Sequence, residues 1–395
     1  MHIPKNEHFK RNAAAWSTAE RFFRLQNLQS TLRKGHYEQE APYKARKSRA
    51  TAYPLTRHVI QHFTGQLLLR QDEVEREANV IPDSYFAAAG PEGESHALQM
   101  KTLADHLLLY GDAWVQVTPT NGRAVTKVLS PLAVPRWTQS RVLTTGMRTG
   151  GGIFEDEQSV QTLTEHTPGG FTTYAEDEDE GGELIPIDVG RYARDTEGFF
   201  QLSGSPTPPV LRCRFMPPIG TEVAEIHKSI YQLESEIDGR LRTALTAGQL
   251  IYNGLDADGE EAVVYAHKEG ANLIFLPEDA DQKPVEIPTE AVEMAEERIA
   301  TKIDELYRTV HLKAQEASAN ASATETVVQN QGSAALTASL AATIESAEES
   351  ILQLVAQVYD FETFAGPNAT PVPINVDYAS IDWETGRVDL TQGTN

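Results

Sequence analysis

The sequence predicts an α+β protein. A β-rich N-terminal half precedes long amphipathic helices, with a small β segment between the first two of them. Three observations carry this. Between Thr221 and Leu250, the residues Val223, Ile226, Ile230, Leu233, Ile237, Leu241 and Leu245 step by three or four, the period of one helix face. Between Ala113 and Phe215, short apolar–polar alternations recur between turn residues, as half-buried strands do. After Leu250 come Asn253-Gly254 and two strand-like runs, Ala262–Tyr265 and Asn272–Leu276. A second helical stripe then follows Pro288 through Val292, Ile299, Ile303, Leu306 and Val310.

Composition sets the class. The chain has 395 residues, enough for two or three modules of ordinary size. No apolar run approaches the roughly 18 residues that span a bilayer, and the charged start Met1–Lys10 has no apolar signal core. The single cysteine, Cys213, excludes an intramolecular disulfide. Net charge is −23 and unevenly placed: residues 1–70 hold 13 Lys/Arg against 4 Asp/Glu, and the rest holds 21 against 53. An acidic body repels nucleic acid over most of its surface. The basic start fits a solvated helix face or a surface for phosphate or an acidic partner.

Taken in order, residues 13–35 read as a polar helix stopped at Gly35, and Arg46–Arg70 as a helix interrupted near Pro54. Residues 94–110 give a third helical pattern that ends at Tyr110-Gly111-Asp112. Ala113–Thr118 and Ala124–Leu129 flank the turn Asn121-Gly122 as a hairpin. Thr144–Gly152 reads as a glycine-rich loop. It lacks the Gly-Lys-Ser/Thr ending of a phosphate cradle, and no Walker A pattern occurs anywhere. Candidate strands follow at Val160–Glu165, Phe171–Tyr174, Leu184–Val189, Gly198–Leu202 and Val210–Phe215. The acidic run Ala175–Glu183 reads as a solvated hairpin tip, because its spacing is not that of a calcium loop. Beyond the second long helix, Ala317–Thr326 is small and polar. A third helix carries Leu336, Leu340, Ile344, Ala347, Ile351, Leu354 and Val358, and Val372–Tyr378 alternates as a last strand.

No motif points to catalysis. His58 and His62 are four residues apart, but the glutamate of a His-Glu-x-x-His motif and a third ligand are both lacking. Ser203 and Ser205 do not form a nucleophile elbow. Cys213 lies between Arg212 and Arg214, which would favour a thiolate, yet it sits in an alternating strand and reads as a half-buried structural residue. The expectation is a protein that is not an enzyme, with no cofactor and no metal.

Several local patterns occur in a telling order. They are Leu107-Leu-Leu-Tyr-Gly-Asp-Ala-Trp-Val-Gln-Val117, Val128-Leu-Ser-Pro-Leu132, Pro217-Pro-Ile219 followed by Ile230-Tyr-Gln-Leu-Glu-Ser-Glu236, and Gly332-Ser-Ala-Ala-Leu336. From about residue 41 onward, this ordered set resembles the bacteriophage portal family, the head-to-tail connectors of DNA-packaging viruses. The resemblance implies a portal-like, ring-forming fold. Its map is a basic N-terminal segment at 1–40, a wing at 41–218, stem helix 1 at 219–250 and a clip at 251–288. Stem helix 2 follows at 289–313, a tunnel loop at 314–332, a wing or crown helix at 333–361, and a strand and tail at 362–395. The short stretch after the third helix implies a small crown or none.

The resemblance also implies partners: further copies in a ring, a dodecamer in that family, at one capsid vertex of the virion, with assembly in the host cytoplasm. Double-stranded DNA would pass through without sequence readout. The terminase large subunit, capsid and scaffolding proteins, and then head-completion or tail adaptors would dock; no membrane is implied. By the same map Lys302, Arg308, Lys313, Ser318, Asn320, Ser322 and Thr324 would meet DNA in the channel or tunnel loop. Glu260, Glu261, His267, Lys268 and Glu269 would face the motor from the clip. The carboxylates Glu290, Glu293, Glu296, Glu297, Asp304 and Glu305 fit channel lining and ordinary i,i+4 pairing equally. Two other classes fit the same residues: another viral adaptor or structural oligomer, and an enzyme without a recognised motif.

Overall fold

Where each element starts and stops follows from apolar spacing and from a few turn residues. The computed structural model describes residues 5–36, 40–69, 74–120, 122–150, 158–177, 183–192, 200–246, 250–255, 261–266, 281–284, 289–310, 323–360 and 374–378, together with residues 3 and 38. In chain order these form α1 (Glu7–Arg24), a 3-10 turn (Leu28–Thr31), α2 (Glu40–Arg49), α3 (Leu55–Leu69), β1 (Glu75–Glu77), α4 (Asp83–Ala87) and α5 (His96–Tyr110). Strands β2 (Asp112–Thr120), β3 (Arg123–Leu129), β4 (Arg136–Trp137), β5 (Val142–Gly150), β6 (Gln158–His166), β7 (Gly170–Asp177) and β8 (Glu183–Arg191) follow. Then come β9 (Gln201–Leu202), β10 (Ser205–Pro206), β11 (Val210–Arg214), α6 (Ile219–Thr246), β12 (Leu250–Leu255), β13 (Glu261–Ala266), β14 (Asp281–Pro284), α7 (Thr289–Thr309), α8 (Ala323–Tyr359) and β15 (Asn375–Asp377).

The chain divides into two units. The first holds residues 1–23, 55–224 and 309–395, and the second holds 24–54 and 225–308. The second therefore takes in α2, which the sequence reading assigned to the start of the wing.

In the first unit the antiparallel sheet β11-β2-β3 lies against α5 and α8. Ile60, Phe63, Leu103, Leu107, Leu108, Ile351, Leu354 and Val355 are buried. Each comes from a three-or-four spacing in α3, α5 or α8, so one stripe per helix supplies the core. Trp114, Leu129, Val134, Val142 and Val210 form a further buried cluster. Ser95 caps α5 by accepting from the Leu98 amide, and Gly111 ends it in left-handed backbone with φ 75°. A side chain at Gly111 would stand 2.8 Å from Pro218 Cβ, so glycine is required there for space as well as conformation. A second sheet has the order β4-β5-β6-β7-β8, all antiparallel, and β1 pairs with β15.

Several expectations need correction. Residues 13–35 are not one helix: the chain leaves α1 through left-handed backbone at Leu25 and Asn27, both with φ 54°. Thr144–Gly150 belongs to strand β5, not to a loop. Its threonines are β-branched, and Thr144 pairs with Thr164, which hydrogen-bonds Thr173 on the next strand. Asn253-Gly254, which precedes the two strand-like runs read from the sequence, is itself inside a strand, β12, paired with Val263 and Ala262. The third long helix begins at Ala323, so Thr324 stands in its first turn and not in a loop. Alanine is the best helix former, and the run from Ala323 has no proline to stop it. The proposed strand Asn272–Leu276, the tip of the acidic hairpin and Gly151-Gly152 lie outside the described residues, and β14 was not anticipated.

Candidate functional site

The second unit supplies most of stem helix 1, stem helix 2 and the clip of the sequence map, whereas the tunnel-loop stretch falls in the first. Helix α6 has 28 residues and α7 has 21, about 40 and 30 Å at 1.5 Å per residue. Between them in sequence lies the antiparallel sheet β13-β12-β14. On α6, His227, Ile230, Tyr231 and Ser235 are buried, one face at helical spacing.

Helix α2 is tied to α6 by Arg46. That guanidinium is 6% exposed and donates from Nε and Nη2 to the Glu38 carboxylate at 2.9 and 2.7 Å. It also donates from Nη1 to Ser235 Oγ at 2.8 Å and from Nη2 to the Arg33 carbonyl at 2.7 Å. The hydrogen bonds from Arg46 hold the Glu38 carboxyl below its ordinary range against the opposing cost of burial. One cation of the basic first 70 residues is thus a structural bolt and not a binding residue.

On α7, Glu293, Glu296, Glu297 and Arg298 are exposed, and Lys302 pairs with Glu305 at 2.7 Å. Arg308 is exposed near the end of the helix. Val292, Ala295, Ile299 and Ile303, the apolar stripe of α7, are only half-buried, whereas Leu306 is fully buried. Beside this stripe is an open cleft of about 500 Å³. It is lined by Arg49, Tyr53, Glu234, Asp238, Glu296 and Ile299, among others. Burial raises the Glu234 carboxyl above its ordinary range.

The structure brings few of the expected contact residues together. Lys302 and Arg308 share α7, Thr324 lies in α8, and Glu261 opens β13. Lys313, Ser318, Asn320, Ser322, Glu260, His267, Lys268 and Glu269 lie outside the described residues.

Three polar clusters in the first unit escaped the sequence reading. Glu348 of α8 is fully buried. Its Oε1 accepts from Arg76 Nε at 2.5 Å and meets His96 Nε2 at 2.9 Å, and its Oε2 accepts from the Tyr378 hydroxyl at 2.7 Å. Burial alone would raise the Glu348 carboxyl, but the charges and hydrogen bonds of His96 and Arg76 outweigh it and hold it near 2. Four elements or their flanks (β1, α5, α8 and β15) thus meet on one carboxylate. Asp112, at the start of β2, accepts from Arg212 Nε at 2.8 Å and meets His8 Nε2 at 2.7 Å. The Arg212 guanidinium lies 4.6 Å from the Trp137 ring centroid, a cation–π contact. These partners are 100 or more residues apart in sequence, so no local pattern announces them.

The third cluster is His166, 3% exposed, between Thr144 Oγ1 at 3.1 Å and the Tyr192 hydroxyl at 2.7 Å. Burial drives its pKa from 6.5 down to about 4. The unfolded chain therefore binds a proton at higher pH than the folded one, and stability falls as pH drops from 6.5 to about 4. This contribution is on the order of 3 kcal/mol. Buried His227 in the second unit shifts the same way, also to about 4. Chemical denaturation between pH 7 and 4 should show the loss, and H166N should flatten the part that belongs to the first unit.

Cys213 is buried, and burial together with nearby Asp112 pushes its thiol up to about 12. It is not the thiolate that its arginine neighbours suggested. His58 and His62 are exposed on α3, and no group of three metal-ligating side chains occurs among the described residues. Among them, too, no helix is long and apolar enough to cross a membrane.

No protein-family model matches the chain, and no curated protein matches it in sequence. Three solved structures of low similarity are chains of gene transfer agent (GTA) particles. One is from the neck of an empty GTA particle computed with C6 symmetry, at TM-score 0.45 and 12% identity over 90% of this chain and 88% of that one. A second, from the neck of a native GTA particle computed with C12 symmetry, gives 0.41 and 14% over 83% of each chain. A third, from the virion of a native gene transfer agent particle, gives 0.40 and 13% over 82% of this chain and 83% of that one. All three scores are too low for a common fold to follow from them.

Proposed function

We propose that this chain is a phage-type head–tail structural protein, and within that class a portal subunit: a non-enzymatic, ring-forming conduit for double-stranded DNA at one capsid vertex. The supporting observation is the pair α6 and α7 around a three-stranded sheet, with the apolar stripe of α7 half-exposed in the single chain. A long helix gains most of its stability by burying one face. Neighbouring copies in a head-to-tail ring supply the missing cover, and closed rings are the regular outcome of such an interface. In this reading α6 and α7 form the channel wall. The sheet β13-β12-β14 is the clip, which docks the terminase motor and later the head-completion proteins. The residues before α8 meet DNA. The exposed carboxylates of α7 repel phosphate, while Lys302 and Arg308 give weak, sequence-independent contact. DNA therefore slides and is not gripped. The ring copy number follows the family, as a dodecamer.

Two measurements test this. Mass measurement and negatively stained images across a salt series should give a ring with a central hole; a monomer under all conditions rejects the proposal. Deleting Ser318–Thr324 should leave assembly intact and abolish DNA packaging. If packaging continues unchanged, an adaptor role replaces the portal role.

A further inference from the structure

Strand β15 is held to the first unit in an unusual way. It and β1 have three residues each and form a sheet of two strands. So small a pairing is marginal by itself. The other support is α8, against which β15 packs. Three glutamates of that helix take donors from the strand. Glu345 Oε2 accepts from the Tyr378 amide at 2.9 Å, Glu349 Oε1 from the Val376 amide at 3.5 Å, and Glu348 Oε2 from the Tyr378 hydroxyl at 2.7 Å. Residues 345, 348 and 349 lie three or four apart and share one face of α8. Amides two residues apart in a strand point the same way. The helix carboxylates therefore stand where a neighbouring strand would offer carbonyls.

We infer that β15 is a releasable strap: it fastens β1 to α8, and it opens and closes as a unit while the core of α3, α5 and α8 stays folded. The reason lies in how the buried charge is shared. Opening is expensive where it strips a buried ion of its partner. Here Glu348 keeps Arg76 of β1 and His96 of α5 on its Oε1 when β15 leaves, so the carboxylate stays compensated. Glu345 and Glu349 are only half-buried, and water can replace the two amides that they accept. What opening does cost is the Tyr378 hydroxyl bond and the burial of Ile374, Val376 and Tyr378. The α5 residues Leu103, Leu107 and Leu108 lie in the main core and are exposed only when the whole unit unfolds. The first unit thus has a strapped state and an open one, and the step between them frees α8 from β1. This inference stands independently of the portal reading.

The experiment is native-state hydrogen exchange on the full chain, read by mass spectrometry at low denaturant. Amides of residues 376–378 should exchange about a hundredfold faster than those of residues 103–108. Their rate should also respond weakly to denaturant, because a strap exposes little surface on opening, whereas the α5 amides should respond strongly. Tyr378→Phe removes the hydroxyl bond to Glu348 and keeps the ring. It should speed exchange of 376–378 about tenfold and leave 103–108 unchanged. One common rate for β15 and α5, or a Tyr378→Phe effect of equal size on both, makes β15 part of the core and overturns the strap. Exchange of 376–378 that ignores Tyr378→Phe overturns it too, since the bond to Glu348 then plays no part in closing.

Discussion

Glu348→Ala is expected to lower the stability of the first unit by about 3–5 kcal/mol, the cost of breaking a buried ion pair by removing one partner. The alanine leaves Arg76 and His96 without the carboxylate that both address, and leaves the Tyr378 hydroxyl without its acceptor. The measurement is chemical denaturation followed near Tyr378, where β15 should detach first. Acid provides a second readout. The folded Glu348 carboxyl sits near 2 against an ordinary 4.5. Its contribution is therefore complete above 4.5 and is lost as pH falls towards 2, because the unfolded chain takes up the proton first. Glu348→Gln has no proton to gain, so its stability should change less between pH 4.5 and 2. Equal acid slopes for the two proteins would remove Glu348 from the account.

The second large effect is at a glycine. A Cβ at Gly220 would lie 2.5 Å from Leu109 Cα and 2.7 Å from the Leu109 carbonyl oxygen. Both atoms are backbone, so α5 and the first turn of α6 must move apart. Gly220→Ala should cost up to about 3 kcal/mol by overpacking, more than the roughly 1 kcal/mol that alanine gains in helix propensity. Gly65→Ala in α3 is the matched control. Nothing stands within 4 Å of its Cβ position, so the propensity gain is uncompensated and the protein should gain about 0.5–1 kcal/mol. Opposite shifts in denaturation midpoint are expected, and shifts of the same sign would refute the close approach.

The local elements were largely legible. Apolar steps of three or four marked α3, α5, α6, α7 and α8. Alternation marked β2, β3, β6 and β11, and Tyr110-Gly111-Asp112 marked the end of α5. These succeed because each is set by neighbours a few residues away. The misreadings are equally physical. Thr144–Gly152 looked like a loop because four of its nine residues are glycine, yet the threonines of its first part meet partners on another strand. Ala323–Gly332 looked like part of a small-residue loop, yet the same alanines favour helix. Glycine and alanine tracts are ambiguous alone, and packing decides between their states.

The sequence by itself determined the order of helices and strands, the acidic body with its basic start, and the single cysteine. Only the tertiary structure decided what the charged residues do. It gathered Arg76, His96 and Tyr378 around Glu348 over separations of 272, 252 and 30 residues. It also turned Arg46 from a presumed surface cation into the bolt between α2 and α6. Such groupings depend on which elements are neighbours in space. A burial cost that must be met by a partner is visible only once the partner's place is known.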